Sequence, residues 1–592
     1  ANTTGNYNTA MGHQSLDANV HGYYNVAIGY QALTASNAAD TTGGNTAVGG
    51  YMALGSVTQG IRNNAFGHSA GHTLTTGNYN DYMGYSAGYE NVHGDYNVGI
   101  GRSALEKNAP GDGAGKNVGV GAFAGRGGAT HAMTGSVFIG YASGYYTTGN
   151  ANVAVGYGAL EGGSSTYSAT KNVAIGYQAL KSATTAENIV AIGYLAGDAQ
   201  TTDDEGSIYI GSSAGGSDYG TNRNIFIGFD AGNKNTTGAN NLAIGHKALE
   251  DMVTGIHNVA IGREAGKELT GNQNVAVGTY ALQDRVAGYY NTVVGDQAMR
   301  DSTSGDKNVI LGTSAMGNDT TGTGGDENVV AGFSALRKNT GQYNVILGAS
   351  AVSQGTGVNN SVIIGREAAG AAAATGDDNA LIGYRAGYDL TSGYGNAGLG
   401  NEALANLTEG YSNVGVGNDA LFSLTTGRKN VAIGNQAGYS MSTGTGSVMI
   451  GEYAGGNNTN DYAIGIGFQA LDANTSGDLN IAIGKNTLGA NTTGNYNTAV
   501  GSNALHSSVH GDGTVAVGYG ALYNHVPADN TSKNVAIGFE AGYDSTTASY
   551  NTFVGYKAGH STTTAEESVY IGYLAGEDNN AQYNVFIGNG AG

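Results

Sequence analysis

The sequence has no cysteine and no tryptophan, only two prolines, and only 24 lysines and arginines among 592 residues. Without cysteine, both a disulfide framework and thiolate chemistry are excluded. The basic residues form no cluster longer than Arg428-Lys429, which argues against a nucleic-acid groove or an anionic membrane surface as a partner. There is no apolar run of about 18 residues and no signal peptide, so the sequence predicts no membrane insertion in this segment.

Glycine, by contrast, is abundant, with 104 residues, and a glycine-rich chain with few aliphatic residues is usually disordered. A regular repeat argues against disorder here. The stretch NVAIGYQAL at 25–33 returns unchanged at 172–180 and in altered form as NIFIGFDAG at 224–232 and NTFVGYKAG at 551–559. The Gly that closes each VAIG-like segment, called the anchor Gly below, occurs 34 times, and the residue before it is apolar every time. A disordered chain has no reason to keep that phase.

The spacing of the anchor glycines predicts the architecture. Of the 33 spacings, 19 equal 17 and the others lie between 16 and 20. A period of this size predicts a repeat solenoid, here an all-β solenoid (β-roll or β-helix) of about 34 coils that forms one continuous body over residues 1–592. At ~4.8 Å per coil the rod would be on the order of 160 Å long. Because the chain starts at Ala1 and stops at Gly592 inside repeats, we interpret it as part of a longer protein.

Each repeat contains a short strand followed by a turn. Residues before the anchor alternate, as in Asn25, Val26, Ala27 and Ile28, and such alternation with β-branched residues is typical of a strand. Asn stands four residues before the anchor in 26 of the 34 repeats, and Ser does in five more. If successive coils stack in register, these side chains form a hydrogen-bonded ladder. The recurrent Asn is therefore interpreted as structural.

A correlation within the repeat predicts the interior. Where the residue two before the anchor is Phe, Tyr, Met or Leu, the residue four after it is Gly in all nine repeats, as in Phe226 and Gly232. Where the earlier residue is Ala, as in Ala27, the later one is usually Leu, as in Leu33. Such an exchange of volume indicates that both side chains fill one close-packed space.

The face carrying Ala27 should then be buried, and so should the apolar face carrying Val26 and Ile28. A coil as short as one repeat can cover one face by folding onto itself. Cover for the other face must come from a second layer or from another chain. The sequence therefore favours parallel chains that share a core.

Residues that could carry chemistry are few, and none is assigned as catalytic, cofactor-binding or metal-binding. His68 with His72 and His506 with His510 have a metal-pair spacing, but only on a helix, which is not expected here. Acidic groups that could bind Ca²⁺ do not recur with the period; these are Asp203, Asp204 and Glu205, and Asp377 with Asp378. Solvated loop carboxylates are the simpler interpretation, and no cofactor is expected.

Tyrosine and threonine leave further alternatives open. Many of the 39 Tyr stand just after the anchor, as Tyr30 does, or just before the Asn, as Tyr7 does. These positions favour the interpretation that the Tyr rings pack against one another at the strand ends. The alternative is that the rings stack on sugars. Thr pairs such as Thr236-Thr237 raise ice binding as a hypothesis, although they drift with loop length. Sequons such as those at Asn2 and Asn491 matter only in a host that glycosylates them.

The units NVAIGYQAL and TTGNYNTAVG resemble a known family. They look like the head repeats of YadA-like trimeric autotransporter adhesins. They are also similar to the longer repeats of phage and bacterial fibre proteins that precede endosialidase-type chaperone domains. The resemblance covers essentially the whole chain. It implies a parallel homotrimer of β-rolls, an extracellular location at a cell surface or on a virion, and attachment as the task.

These observations predict a structural or adhesive extracellular fibre, either a phage tail-fibre shaft or a bacterial surface appendage, and not an enzyme. The predicted partners are further copies of the chain and a cell-surface glycan or receptor reached through loops or terminal domains. End-to-end joining into a filament is a further hypothesis. The alternatives are a polysaccharide-binding or depolymerising β-helical fibre, which would need converging carboxylates, and, less favoured, an ice-binding protein.

Overall fold

The architecture is seen in a computed structural model of the chain. It describes residues 4–36, 43–108, 115–127, 133–163, 168–201, 206–219, 223–284, 287–302, 304–317, 325–338, 340–371, 373–527 and 532–592. The chain divides into two compact units, Ala1–Gln297 and Ala298–Gly592. The expectation of one continuous body over 1–592 stays a prediction.

The described residues form 34 short strands, one for each anchor Gly. In the first unit these are β1 to β17, namely Thr9–Met11, Val26–Tyr30, Thr46–Tyr51, Asn64–Phe66, Asp81–Met83, Val98–Ile100, Val118–Val120, Val137–Ile139, Val153–Val155, Val173–Ile175, Val190–Ile192, Ile208–Ile210, Ile225–Ile227, Leu242–Ile244, Val259–Ile261, Val275–Val277 and Thr292–Val294. In the second unit they are β18 to β34, namely Val309–Leu311, Val329–Ala331, Val345–Leu347, Val362–Ile364, Ala380–Ile382, Ala397–Leu399, Val414–Val416, Val431–Ile433, Val448–Ile450, Ile464–Ile466, Ile481–Ile483, Thr498–Val500, Val515–Val517, Val535–Ile537, Thr552–Val554, Val569–Ile571 and Val585–Ile587.

Within each unit, every strand pairs in parallel with the next strand along the chain. In β10 and β11, for example, Val173 lies opposite Val190 and Ile175 lies opposite Ile192, so that equivalent residues of successive repeats are in register. Both units are therefore parallel β-solenoids with one coil per repeat, which confirms the predicted fold class and period. No helix among the described residues is long and apolar enough to cross a membrane.

The turn after each strand explains the anchor Gly. At Gly176 the φ angle is +135°, and a Cβ atom there would lie 2.2 Å from the carbonyl oxygen of Gly193 in the next coil. Only glycine fits both the conformation and the contact. The residues after it were not predicted: Gln178 and Leu180 have φ near +50°, which costs a non-glycine residue about 1–2 kcal/mol. Their N–H groups donate to carbonyl oxygens of the preceding and following coils, respectively, so the ladder continues through the turn.

One coil contains an extra residue. Strand β3 runs over Thr46–Tyr51 and carries two glycines, and its register against β2 shifts between Ile28 and Tyr30. An extra residue of this kind is a β-bulge, which bends the strand without ending the pairing. Leu54 consequently takes the interior place that Leu33 has in the preceding coil, although it follows Gly49 by one residue more.

The interior of each coil holds the residues that the volume correlation selected. Ala174, Ala179 and Leu180 are all fully buried, as are their equivalents in the coils between the first and the last. Where the strand carries an aromatic residue, the later Gly leaves room for the ring. A Cβ on Gly144 would lie 2.2 Å from Phe138, and one on Gly576 would lie 2.0 Å from the ring of Tyr570. The prediction that the two positions share one space is confirmed.

Some coils have a small residue at both positions, and here the space is shared between coils. In the coil with Ala191 and Gly197, a Cβ on Gly197 would lie 2.7 Å from Tyr209 of the next coil and 3.4 Å from Leu180 of the preceding one. There are six coils of this kind, and in each of them a Leu of the preceding coil lies beside the Gly. The six glycines are Gly71, Gly125, Gly197, Gly266, Gly438 and Gly542. A small pair in one coil is therefore compensated by larger side chains in the neighbouring coils.

The predicted Asn ladder lies inside the solenoid. Asn413 is fully buried, and its Oδ1 accepts hydrogen bonds from the backbone N–H of Asn430 at 3.1 Å and from its Nδ2 at 3.0 Å. The Nδ2 of Asn413 donates to Asn396 in the preceding coil and to the carbonyl of Gly427. Ser can replace Asn because its Oγ accepts the same backbone bond, as Ser207 does from Asn224. A buried amide with these partners is structural.

The outer face of the strands is only partly covered within the single chain. The predicted burial is confirmed for the Ala27 face, which is fully buried, whereas Val26 and Ile28 are half-buried, and their cover by another chain stays a prediction. The physical reason is the thinness of the coil: one turn of so short a repeat encloses a single interior on one side of its strand. The other side of each strand faces outward.

Candidate functional site, an exposed apolar stripe

The outward side chains of the strands form two parallel columns on each unit. We call them the stripe: the residues three and one before each anchor Gly, such as Val137 and Ile139. Ile139 is 41% exposed and Leu399 is 49% exposed, which is high for large aliphatic side chains in regular strands. Because successive coils are in register, these residues form continuous apolar ladders along the sheet of each unit.

The composition of the stripe is uniform. Of its 68 positions, 61 carry an apolar residue, five carry Thr, one carries Asn and one carries Asp, and none carries Lys or Arg. Large contiguous apolar patches are uncommon on proteins that act alone, where the largest is about 300–600 Å². Most stripe side chains are partly exposed and keep on the order of 30 Å² of apolar area each in water, so the columns of one unit present roughly 1,000 Å². This area exceeds the ~800 Å² that each partner contributes to a standard protein interface.

The two polar exceptions are neighbours. Asn64 in β4 and Asp81 in β5 occupy the same column in consecutive coils, and Asn64 Nδ2 donates to Asp81 Oδ1 at 2.7 Å. They border a shallow hollow of about 430 Å³ whose other walls are Thr46, Phe66, Tyr82, Met83, Val98 and Ile100. A carboxylate in the middle of an apolar ladder is not explained by packing within one chain.

The tyrosines just after the anchor stack on one another. Rings in this column lie 4.9–5.5 Å apart and within 22° of parallel in three runs: His13, Tyr30, Tyr51, His68 and Tyr85; Tyr141, Tyr157, Tyr177 and Tyr194; and Tyr519, Phe539, Tyr556 and Tyr573. A sugar stacks on a free ring face. Inside these runs each face is covered by the next ring, which favours the packing interpretation.

The histidine pairs are separated by this stacking. His68 lies between Tyr51 and Tyr85, whereas His72 stacks on Tyr89 at 5.0 Å in another column. In the second pair, His506 stacks on Tyr523, and His510 Nδ1 lies 2.6 Å from the hydroxyl of Thr493. The two members of each pair thus have different neighbours.

The acidic groups have separate environments too. Asp377 Oδ1 accepts hydrogen bonds from the backbone N–H and from Nδ2 of Asn359, at 2.9 and 3.0 Å, so it takes part in an outer polar ladder. Asp203, Asp204 and Glu205 lie outside the described residues. Within the described part of the chain, no group of three His, Asp or Glu side chains is arranged to hold a metal ion.

A second hollow, of about 460 Å³, lies near the end of the second unit. It is polar, and its walls are Ser507, Asn524, Val526, Asp544, Thr546, Ser561 and Thr563. Among the described residues that line it, Asp544 is the one carboxylate, and it accepts a hydrogen bond from Asn524 at 2.8 Å. Glycoside hydrolysis ordinarily uses a pair of carboxyl groups about 5–10 Å apart, and the described walls of this hollow carry one.

The threonines are more regular in space than in sequence. Thr391, Thr408 and Thr425 occupy equivalent places in consecutive coils, and each hydroxyl donates to a backbone carbonyl of the following coil at 2.9–3.1 Å. Their hydroxyls therefore stabilise the stacking of the turns. Of the sequons named above, Asn2 lies outside the described residues, and Asn491 is fully buried with its Nδ2 bonded to Asn474. A buried Asn491 is not available for glycosylation in the folded chain.

His525 is a buried titratable group. It lies seven residues after its anchor, where many other coils carry Asn or Leu, and it is fully buried. Nδ1 lies 3.0 Å from the carbonyl oxygen of Ser545, and Nε2 lies 2.6 Å from Ser532 Oγ. Burial lowers the pKa of His525 from 6.5 to about 4, and the bond to Ser545 opposes this only in part. The ring is thus neutral in the folded chain at neutral pH.

This burial predicts a pH dependence. The unfolded chain binds a proton at His525 below pH 6.5 and the folded chain only below about 4. Stability should therefore fall as the pH drops through this window, by about 3 kcal/mol in total. The variant His525→Asn carries at this position the residue that another coil has as Asn91. It should not show the part of the stability loss at low pH that comes from protonation of His525. Denaturant unfolding at pH 7 and 4.5 measures it, and equal pH slopes for the two proteins would contradict the prediction.

Comparison with protein-family models finds no match for this chain, and comparison with curated proteins finds no relative. Its function is therefore inferred from its own repeats and surfaces.

Proposed function

We propose that this chain is the shaft of an extracellular structural or adhesive fibre, in which parallel copies pack against one another through the stripe. The stripe is the observation that supports the proposal. It is apolar at nearly every coil, it is exposed in the single chain, and its area is larger than a standard interface needs.

Another copy of the chain is the occupant that fits the stripe best. Its ladders repeat with the spacing of parallel strands, ~4.8 Å, along each unit. A second stripe of the same sequence has the same spacing and apolar character. Moving about 30 partly exposed side chains per unit out of water gives on the order of 25 kcal/mol, against an association cost of about 4–15 kcal/mol. Three copies is the number that the resemblance to YadA-like heads implies.

The remaining surface is consistent with a passive shaft. It carries stacked aromatic rings, threonines bonded to the backbone, and a net charge of −21 spread over the chain. A receptor or a cell-surface glycan would then be bound by loops or by parts of a longer protein. Location at a cell surface or on a virion, and joining of shafts into a filament, remain predictions from the sequence.

A polysaccharide depolymerase is the second candidate. It is favoured only by the polar hollow around Asp544, which has the hydroxyl and amide groups that recognise sugars. Hydrolysis would need a second carboxyl group beside Asp544, and the described walls of the hollow carry one. Ice binding has less support, because the Thr hydroxyls that form ladders donate to the backbone of the next coil.

Measuring the mass of the protein in solution tests the proposal. Light scattering should give three times the 59.5 kDa of the single chain under native conditions and one chain after denaturation. A native mass of one chain at micromolar concentration would refute the shared-core shaft. Release of reducing sugar from capsular polysaccharide by that single chain would favour the depolymerase instead.

A further inference from the structure

The uniformity of the stripe creates a problem of alignment for any self-association. Val and Ile recur at almost every level, so sliding one copy along another by a whole coil would place apolar residues against apolar residues again. Register is weakly specified wherever a pattern repeats without a distinguishing feature. Apolar area thus provides affinity, and something else must define the level at which copies meet.

The pair Asn64 and Asp81 is the feature that breaks the repetition. These are the two stripe positions more polar than Thr, and they stand at adjacent levels joined by a 2.7 Å hydrogen bond. Asp81 is exposed in the single chain, and the hollow beside it has room for several water molecules. The geometry thus marks one level in the first unit with a carboxylate, an amide and space for water.

We propose that Asn64 and Asp81 form a registration layer that aligns parallel copies of this chain. The inference rests on the self-association proposed above. In register, the polar pairs and their hollows meet at one hydrated level. Shifted by one coil, the Asp81 of one copy would be pressed against Val98 of another with no polar partner, and an uncompensated buried charge is strongly destabilising. One polar residue in an apolar seam is known to specify register in coiled coils by this mechanism.

The test compares the register of the wild type with that of Asn64→Val/Asp81→Val. Because the chain has no cysteine, Thr254→Cys on an exposed loop accepts a single nitroxide label in each background. Distances between labels are measured by pulsed electron paramagnetic resonance. The wild type should give one narrow distribution. The Val variant should keep its oligomeric mass but give a broad distribution, with added distances from copies displaced by multiples of ~4.8 Å.

A matched control removes other polar groups from the stripe: Thr292→Val/Thr498→Val should keep the narrow distribution. The proposal is overturned if Asn64→Val/Asp81→Val also stays narrow, if the wild type is itself broad, or if the Val variant dissociates, which would make the pair a source of affinity. A wild type with the mass of one chain would instead refute the proposed function, so the two failures are distinguishable.

Discussion

Replacing Gly387 by Leu is expected to destabilise the second unit by at least about 3 kcal/mol, and replacing Leu381 by Ala at the same time is expected to restore most of that loss. A Cβ on Gly387 would lie 2.6 Å from Leu381 Cδ1 in the same coil, so a Leu cannot enter while Leu381 is present. Leu381→Ala alone should cost about 2–5 kcal/mol, because it leaves a cavity at a fully buried site.

The double variant recreates a pair that the chain already uses. Ala482 and Leu488 occupy the same two places in another coil, and Leu488 accepts a φ of +48° there, close to the +59° of Gly387. The double variant should therefore lie within about 1.5 kcal/mol of the wild type. Denaturant unfolding of the four proteins gives the coupling energy.

A mirror exchange serves as the control. Ala482→Leu/Leu488→Gly converts the native small-large pair into the large-small pair of Leu381 and Gly387, and it should be tolerated better than either single change. Additive losses in both cycles would mean that the two positions do not share a space, which would remove the basis of the proposed packing.

Aspartate introduced along the stripe is expected to separate the copies without unfolding the chain. In Ile210→Asp/Ile244→Asp/Val277→Asp, the new carboxylates stand on alternate coils of the first unit, at positions that are only half-buried in the single chain. A single chain can hydrate them there. In an assembly they would be buried without partners, at several kcal/mol each. Because about 4 kcal/mol is a factor of a thousand, the dissociation constant should rise at least about a thousandfold.

Analytical ultracentrifugation measures this change, and far-ultraviolet circular dichroism reports whether the strands persist. The matched control adds the same charge off the stripe: Thr237→Asp/Thr254→Asp/Thr270→Asp changes three exposed loop positions in the same unit. It should keep the mass of the wild type. If the stripe variant also keeps that mass, the copies associate through another surface.

Much of the fold could be read from the repeat because its determinants are local. A short strand, a Gly that must turn and an Asn at the start of the strand recur at a fixed spacing, and parallel stacking in register follows from that period. The exchange of volume between positions such as Phe226 and Gly232 identified the interior. Close packing requires a small residue at one position where the other is large, and this produces a correlation in the sequence.

The candidate site was less predictable. The sequence showed that Val137 and Ile139 are apolar. The alternation of side chains along a strand does not by itself show which face points inward. Asn64 and Asp81 were missed because they stand in degraded copies of the repeat. The signal that could have found them is the charge of Asp81 in a column that is otherwise apolar or Thr.

The sequence by itself determined the period, the strand at each repeat, the buried Asn ladder and the pairing of large with small side chains. Only the tertiary structure decided how far the Val and Ile face is exposed and how gaps are filled between coils, as Leu180 and Tyr209 fill the space on the two sides of Gly197. The thinness of the coil is the physical reason for both results. A coil built from one short repeat has one narrow interior. Small residues such as Ala174 point into it together with side chains of the neighbouring coils, and the bulkier Val and Ile of the strand lie outside.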